Sequence, residues 1–322
     1  MTDTSEFTVR VARTTQEALD IRSFELVRAD GQGLPAFSAG SHIDVHLPSG
    51  LTRQYSLCND ATENHRYLIG VLRDPASRGG SRAMHDEIEE GMTLRISAPK
   101  NHFPIASDAS HSLLLAGGIG VTPILCMAER MAAIGHPFEM HYCTRSPGRT
   151  AFRQRIAEAA FASQVTLHFD DGAAEQKLAI EQVLRAMPAQ THLYVCGPKG
   201  FMDWVLASAR TAGWPETRLH FEFFGASVAP SSTDGAFDVQ IASSGRVIHI
   251  PADRTVVQAL GDAGVEVQVS CEQGVCGTCL TRVLQGEPDH KDLYLTPEEQ
   301  AANDQFTPCC SRARSKLLVL DL

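Results

Sequence analysis

Over the first hundred residues, apolar and polar positions alternate in short runs at 7–11, 24–27, 42–47, 53–57, 67–72 and 94–96. A period of two places every second side chain on one face of a strand. Six half-buried strands separated by Gly, Pro and Asn predict a small antiparallel β-barrel. From about Ser112 the texture changes. Leu113-Leu114-Leu115-Ala116 is continuously apolar, as suits a strand covered on both faces, and it runs into Gly117-Gly118-Ile119-Gly120. A helix is expected next, with Thr122 as N-cap and Pro123 in its first position. Further strands at 138–143, 165–169 and 193–196 alternate with helical stretches at 152–160 and 201–212, the order expected of a parallel sheet with helices on its faces.

The stretch 225–235, GASVAPSSTDG, is small, polar and broken by proline, and reads as a linker. Beyond it, strands at 237–241 and 247–250 flank Ser243-Ser244-Gly245-Arg246 as a hairpin, and a short helix follows at 255–263. The resulting division is a barrel domain at 1–108, an α/β domain at 109–226, a linker at 227–235 and an α+β domain at 236–322.

Composition narrows the function more than the fold. With 322 residues the chain is long enough for two or three cores. An apolar fraction of 43% and a charged fraction of 20% are ordinary for a globular protein, and no apolar run approaches the roughly 20 residues of a membrane span. The opening MTDTSEFTVR lacks the basic start and apolar core of an export signal, so a cytoplasmic location is expected. The net charge of -10 speaks against nucleic acid, which calls for a basic face. Nine cysteines in such a chain point to metal or redox chemistry rather than to a disulfide framework, and five of them fall in the last 52 residues.

Cys271, Cys276 and Cys279 have the spacing C-x4-C-x2-C, and Cys309 follows 29 intervening residues later. This is the ligand pattern of a plant-type two-iron two-sulfur ferredoxin, in which each iron takes two thiolates and two bridging sulfides. Gly274 and Gly277 suit that loop, because residues without a Cβ accept positive φ and let backbone N–H groups approach sulfur. A zinc ribbon wants two C-x2-C knuckles and a Rieske centre wants C-x-H, and neither pattern is complete here. Cys310 adjoins Cys309, and the spacing from Cys279 favours Cys309 as the fourth ligand. The cysteines outside this group read as small apolar residues.

Gly117 to Pro123 lies between a strand and a helix, where backbone N–H groups attract a pyrophosphate, although the loop lacks the G-x-G-x-x-G fingerprint. Cys196-Gly197-Pro198 ends the last predicted parallel strand, where ligands of open α/β sheets lie. In the barrel, Arg53-Gln54-Tyr55-Ser56 brings a guanidinium suited to phosphate and a ring suited to a flavin face. Arg78-Gly79-Gly80-Ser81 adds a second anion site if Ser81 caps a helix running to Ile88. His42, His46, His141 and His168 fall in predicted strands and read as satisfied or surface residues rather than ligands.

In this order the motifs resemble the phthalate dioxygenase reductase type of the ferredoxin-NADP reductase superfamily, with vanillate O-demethylase reductases most similar in appearance. The resemblance covers essentially the whole chain, and its most specific part is the tail: Cys271 to Cys279, Asp289-His290-Lys291-Asp292 and Cys309-Cys310-Ser311-Arg312. It implies that Arg53 binds the flavin phosphate with Gly80 and Ser81, that Tyr55 lines the isoalloxazine, and that Ser56 bonds near its N5. It further implies that Gly118 and Thr122 hold the nucleotide pyrophosphate, that Cys196, with Gly197 and Pro198, lies beside the nicotinamide, and that Phe224 covers the flavin. FMN rather than FAD, and NADH rather than NADPH, are the expected cofactors. Arg145, after the second parallel strand, would nevertheless suit a 2'-phosphate.

A hydride carries two electrons and a cluster accepts one, so a flavin between them is the connecting element. The expected function is reductase of a two-component, Rieske-type oxygenase or demethylase in aromatic catabolism, with no protein acid or base assigned. Competing readings are a reductase for a cytochrome P450 or separate ferredoxin, and an iron–sulfur redox sensor. From Gly235 onward 12 Asp and Glu stand against 7 Lys and Arg, which suits a basic docking face on an oxygenase.

Overall fold

The computed structural model describes residues 6–75, 77, 79–225 and 234–322. Arg78 and residues 227–233 of the predicted linker lie outside the described residues. The chain divides into two compact units, Met1–Glu222 and Phe223–Leu322.

The first unit opens with β1 (Glu6–Ala18), β2 (Ile21–Arg28), β3 (Ser41–His46), β4 (Thr52–Ser56), β5 (Tyr67–Leu72), the short helix α1 (Gly80–Asp86), β6 (Thr93–Ser97) and β7 (Lys100–Asn101). All six predicted strands are present. They form an antiparallel sheet in the order β4-β3-β6-β1-β2-β5, with β7 added beside β3. Leu57, just past β4, bridges Ile69 of β5, so the sheet curls until its ends meet. The alternation in sequence has its cause here: Val9, Val11, Phe24, Leu26, Ile43, Val45, Ile69 and Ile96 fill the interior. Each side chain so buried contributes roughly 1.5–3 kcal/mol.

The parallel sheet follows, from β8 (His111–Gly117), α2 (Val121–Ala133), β9 (Phe138–Thr144), α3 (Arg153–Glu158), β10 (Val165–Phe169), α4 (Ile180–Ala186), β11 (Thr191–Cys196), α5 (Lys199–Thr211) and β12 (Leu219–Glu222). Its order is β10-β9-β8-β11-β12, and every neighbouring pair is parallel. Chain order reverses between β8 and β11, and such a reversal opens a crevice at the carboxyl ends of the two strands. Gly117 and Cys196 stand at those ends. The edge strand β12 has no counterpart among the predicted strands, because LHFE is too short for alternation to show. Ile21, Ala39, Cys58 and Phe103 from the barrel share one core with Leu114, Ile124, Met127 and Tyr142 of the parallel layer.

Two helix starts differ from expectation. A 3-10 turn over Gly118–Gly120 feeds directly into α2, so Gly120 takes the cap position. Thr122 therefore lies inside the first turn, where its hydroxyl donates to Ile119 O at 3.0 Å. Likewise α1 starts at Gly80 behind Gly79, whose φ is 97°, and ends before Ile88. Ser81 is its second residue and caps nothing, its hydroxyl instead accepting from the Asp74 N–H at 3.2 Å. In both places a glycine makes the turn that sequence reading gave to a hydroxyl residue.

The second unit contains β13 (Phe237–Ile241), β14 (Val247–Ile250), α6 (Val256–Asp262), β15 (Thr281–Gln285), β16 (Pro288–Asp289), α7 (Pro297–Ala302), β17 (Gln305–Phe306), β18 (Arg312–Ala313) and β19 (Leu317–Leu320). The main sheet runs β14-β13-β19-β15-β17, with β13 and β14 an antiparallel hairpin and β13 parallel to β19. Thr255 starts α6 through a capping box with Gln258. Val256 and Leu260 on that helix pack against Val239, Ile250 and Leu318. This is the expected α+β ferredoxin (β-grasp) arrangement, and the long loop from α6 to β15 carries three of the predicted ligands.

Candidate functional site

In the barrel, β4 presents its predicted residues beside the start of α1. A Cβ added to Gly80 would lie 2.5 Å from Arg53 Cγ and 2.7 Å from its Nε, so the guanidinium arm lies across a backbone only glycine permits. Arg53 Nη1 donates to Thr52 O at 2.7 Å. An arginine laid over the first turn of a helix, with Ser81 beside it, fits a phosphate group. Tyr55 pairs with Ile43 across the strands and packs against the barrel core. Burial pushes its hydroxyl above the ordinary phenol range.

At the reversal of the parallel sheet, the two loops predicted to hold a nucleotide are in contact. A Cβ on Gly120 would lie 2.2 Å from Cys196 O, and one on Gly197 2.9 Å from Gly117 Cα. Pro198 and Phe201 close on Gly117 from the other side, at 3.0 and 2.7 Å from its would-be Cβ. By contrast Gly118, with φ 53°, faces open space with nothing within 4 Å of a Cβ position. Tight glycine packing beneath one outward glycine at a helix start has room and N–H groups that suit an anion such as a pyrophosphate.

The structure adds a residue that sequence reading passed over. Glu222 ends β12 and stands in register beside Cys196. The Ser56 hydroxyl donates to Glu222 Oε2 at 3.4 Å. Ser56 from the barrel and Cys196 from the parallel sheet, one expected near a flavin and the other near a nicotinamide, thus meet around one carboxyl. Burial pushes Glu222 up to about 7, with the Ser56 hydrogen bond opposing. Cys196 is raised well above the ordinary thiol range, first by burial and then by the charge of Glu222. Neither group is built as a nucleophile; together they make a nearly neutral patch, with Cys196 buried and Glu222 half-buried. Only a pairing across β11 and β12 creates this patch, and no local pattern around Glu222 announces it.

In the second unit Cys271, Cys276, Cys279 and Cys309 are all buried, at 3–8% exposure. Cys279, Cys309 and Cys310 pack together, with Val257, Val267 and Val269 against them. Gly274 and Gly277 have φ of 68° and 70°, as the loop was expected to need. Cys271 is drawn below the ordinary thiol range by hydrogen bonds from Cys276 and then Cys309, and Cys279 by a hydrogen bond from Cys309. Cys276 and Cys309 are pushed up correspondingly, each by a hydrogen bond to Cys271 first. Thiols crowded in apolar surroundings so that they share protons form a donor set suited to soft metal. Among the described residues no group of three or more His, Cys, Asp or Glu side chains is arranged around a single ion; a two-iron cluster, taking two thiolates per iron, needs none. The sulfur set thus fits the cluster.

The remaining expectations fall as follows. Phe224 belongs to the second unit and is 38% exposed. His46 meets Thr52 Oγ1 at 2.8 Å and Glu6 at 3.1 Å. His141 and His168 stack and bond each other at 2.8 Å. No helix among the described residues is long and apolar enough to cross a membrane.

Comparison with known proteins bears on the fold and on the thiol-bearing domain. Residues 239–314 match the family described as 2Fe-2S iron–sulfur cluster binding domain, and residues 95–219 match the N-terminal domain of dimethylamine monooxygenase subunit DmmA-like proteins. The chain is 58% identical over 97% of its length to a vanillate O-demethylase oxidoreductase of Pseudomonas putida, covering 98% of that protein. Among solved structures it is similar to phthalate dioxygenase reductase, described as a modular structure for electron transfer from pyridine nucleotides to 2Fe-2S, with 39% identity, a TM-score of 0.81 and 99% and 98% of the two chains covered. It also matches 41% of an intact type IV self-sufficient cytochrome P450 monooxygenase, using 98% of its own length at 39% identity and a TM-score of 0.79. Barrel, parallel sheet and thiol-bearing domain occur in one chain in the same order, and the protein accordingly belongs to the family of phthalate dioxygenase reductase and vanillate O-demethylase oxidoreductase.

Proposed function

We propose that this chain carries electrons from NADH through FMN to a plant-type 2Fe-2S cluster in its second unit, and from there to the oxygenase component of a Rieske-type oxygenase or demethylase. The observation that carries the reading is the meeting of Ser56, Cys196 and Glu222 in a chain that also gathers four buried cysteines at ferredoxin spacing. We assign residues 1–108 to flavin binding, 109–226 to NAD binding and 236–322 to the ferredoxin, with 227–235 as the linker.

A flavin held here would supply the chemistry that joins a two-electron donor to a one-electron acceptor. The chain's own residues orient and shield. Arg53, with Gly80 and Ser81, anchors the flavin phosphate, and Tyr55 lies along the ring system. Gly118 and Thr122 hold the nucleotide pyrophosphate, while Cys196, Gly197 and Pro198 bound the nicotinamide side. Ser56 offers its hydroxyl near the reacting edge. Glu222 keeps this edge close to neutral below pH 7, and so puts no carboxylate charge beside the path of a hydride. Cys271, Cys276, Cys279 and Cys309 supply the thiolates.

The acidic balance from Gly235 onward, 12 against 7, suits a basic face on the oxygenase near the ferredoxin domain. A cytoplasmic setting keeps the thiols reduced and available. The similarity to a chain that includes a P450 supports a second reading, in which a P450 takes the electrons. An absorption spectrum with cofactor extraction, followed by NADH-driven reduction of cytochrome c, tests the electron path. Flavin release as FMN, a cluster spectrum and rapid turnover are expected; zinc at the thiols, or sluggish turnover, refutes it. Reduction of a purified demethylase oxygenase but not of a P450 separates the two acceptors.

A further inference from the structure

Asp289-His290-Lys291-Asp292 is left without a task by the electron path, and its last residue is placed between the two segments that hold the cysteines. No part of the Asp292 side chain is exposed. On one side the Leu293 N–H donates to Gly274 O at 2.9 Å, in the loop of Cys271 and Cys276. A Cβ on Gly274 would lie 3.1 Å from both Cα and Cβ of Asp292, and 2.4 Å from Cys310 Sγ. On the other side the Ser311 hydroxyl, two residues past Cys309, donates to Asp292 Oδ1 at 3.2 Å and accepts from the Lys291 N–H at 3.1 Å. The second carboxyl oxygen accepts from the N–H groups of Tyr294 and Leu295 at 3.3 and 2.8 Å. Thr307 Oγ1 meets Ser311 Oγ at 3.1 Å and Cys310 Sγ at 3.2 Å, which completes a buried chain of contacts from Asp292 to the segment of the fourth thiol.

A buried carboxylate costs several kcal/mol unless it is well bonded. Here both oxygens are bonded. Lys291 pairs with Asp234, and His290 Nδ1 stands 3.5 Å from Asp292 Oδ1.

Building on the proposed cluster, we propose that Asp292 is its positioning residue: its backbone segment packs on Gly274 in the loop of Cys271 and Cys276 while its carboxylate holds Ser311 beside Cys309, and its charge holds the cluster's reduction potential down. Reduction adds negative charge to a site already bearing thiolates, and a fixed carboxylate in low-dielectric surroundings opposes it. An amide at this position would lack an acceptor on one of its two ends, and would carry no charge.

The test is a redox titration of the purified holoprotein, followed by the electron paramagnetic resonance signal of the reduced cluster. Asp292→Asn should move the midpoint to more positive potential, and Asp292→Glu, which keeps the charge, should return it toward that of the wild type. Ser311→Ala, which breaks the tie without altering charge, should speed iron release to a chelator and leave the midpoint near the wild-type value. An unshifted Asn midpoint, or a Glu midpoint displaced as far as that of Asn, overturns the electrostatic role. If the Asn protein holds no cluster, wild-type iron release from Ser311→Ala overturns the tie. Absence of the signal from the wild-type protein would instead refute the cluster itself.

Discussion

Replacing Glu222 by Gln removes a carboxyl whose folded value burial raises from 4.5 to about 7. In the unfolded chain this group loses its proton near 4.5, and in the folded chain near 7. Between those values the folded state binds more protons, so stability falls as pH rises through the window. Below it both states are protonated and the group costs nothing. Above it the folded state carries the whole cost, which at about 1.4 kcal/mol per pH unit is on the order of 3 kcal/mol. The Ser56 hydrogen bond, at 3.4 Å, is too long to offset this. Glu222→Gln should therefore exceed the wild type by under about 1 kcal/mol at pH 5 and by about 3 kcal/mol at pH 8. Urea unfolding of the holoprotein at pH 5, 6, 7 and 8, followed by flavin fluorescence and far-ultraviolet circular dichroism, reads the difference. A gap between the two proteins that does not widen with pH would show that Glu222 is not held neutral, and the account of the patch around Cys196 would fail with it.

Cys276→Ser should leave NADH oxidation by a small dye intact while abolishing electron delivery to cytochrome c; equal loss of both would contradict separate flavin and cluster sites. Arg53→Ala removes a charge-assisted contact of about 1.5–3 kcal/mol, so flavin should bind about 10- to 100-fold more weakly in a fluorescence titration, and unchanged retention after dialysis would remove Arg53 from the phosphate site. Gly120→Ala puts a methyl 2.2 Å from Cys196 O at a place where backbone must move. It should destabilise the first unit by at least about 1–3 kcal/mol and weaken NADH binding, both measurable by thermal unfolding with and without NADH. A wild-type melting temperature would show that the two loops are not packed as described.

By itself the amino-acid sequence determined the classes of element and singled out the proposed cluster ligands. The barrel strands were legible because one face of each is buried, so period two is written into residues such as Val9, Val11, Ile43 and Val45. The thiol set was legible because a plant-type cluster imposes a fixed spacing on three ligands in one loop, which Cys271, Cys276 and Cys279 match, and demands glycine where φ is positive. Helix starts were read less well, since Thr122 and Ser81 look like caps and glycines at 120 and 79 take those positions instead.

Tertiary structure alone decided the rest. Glu222 gains its meaning from a parallel pairing with Cys196 and a contact with Ser56 that lies 166 positions away in sequence. Asp292 likewise becomes a tie only when Ser311 and Gly274 are folded onto it. Local periodicity reports what a residue's neighbours in sequence require, whereas the proton affinity of a buried carboxyl depends on which distant groups exclude water from it.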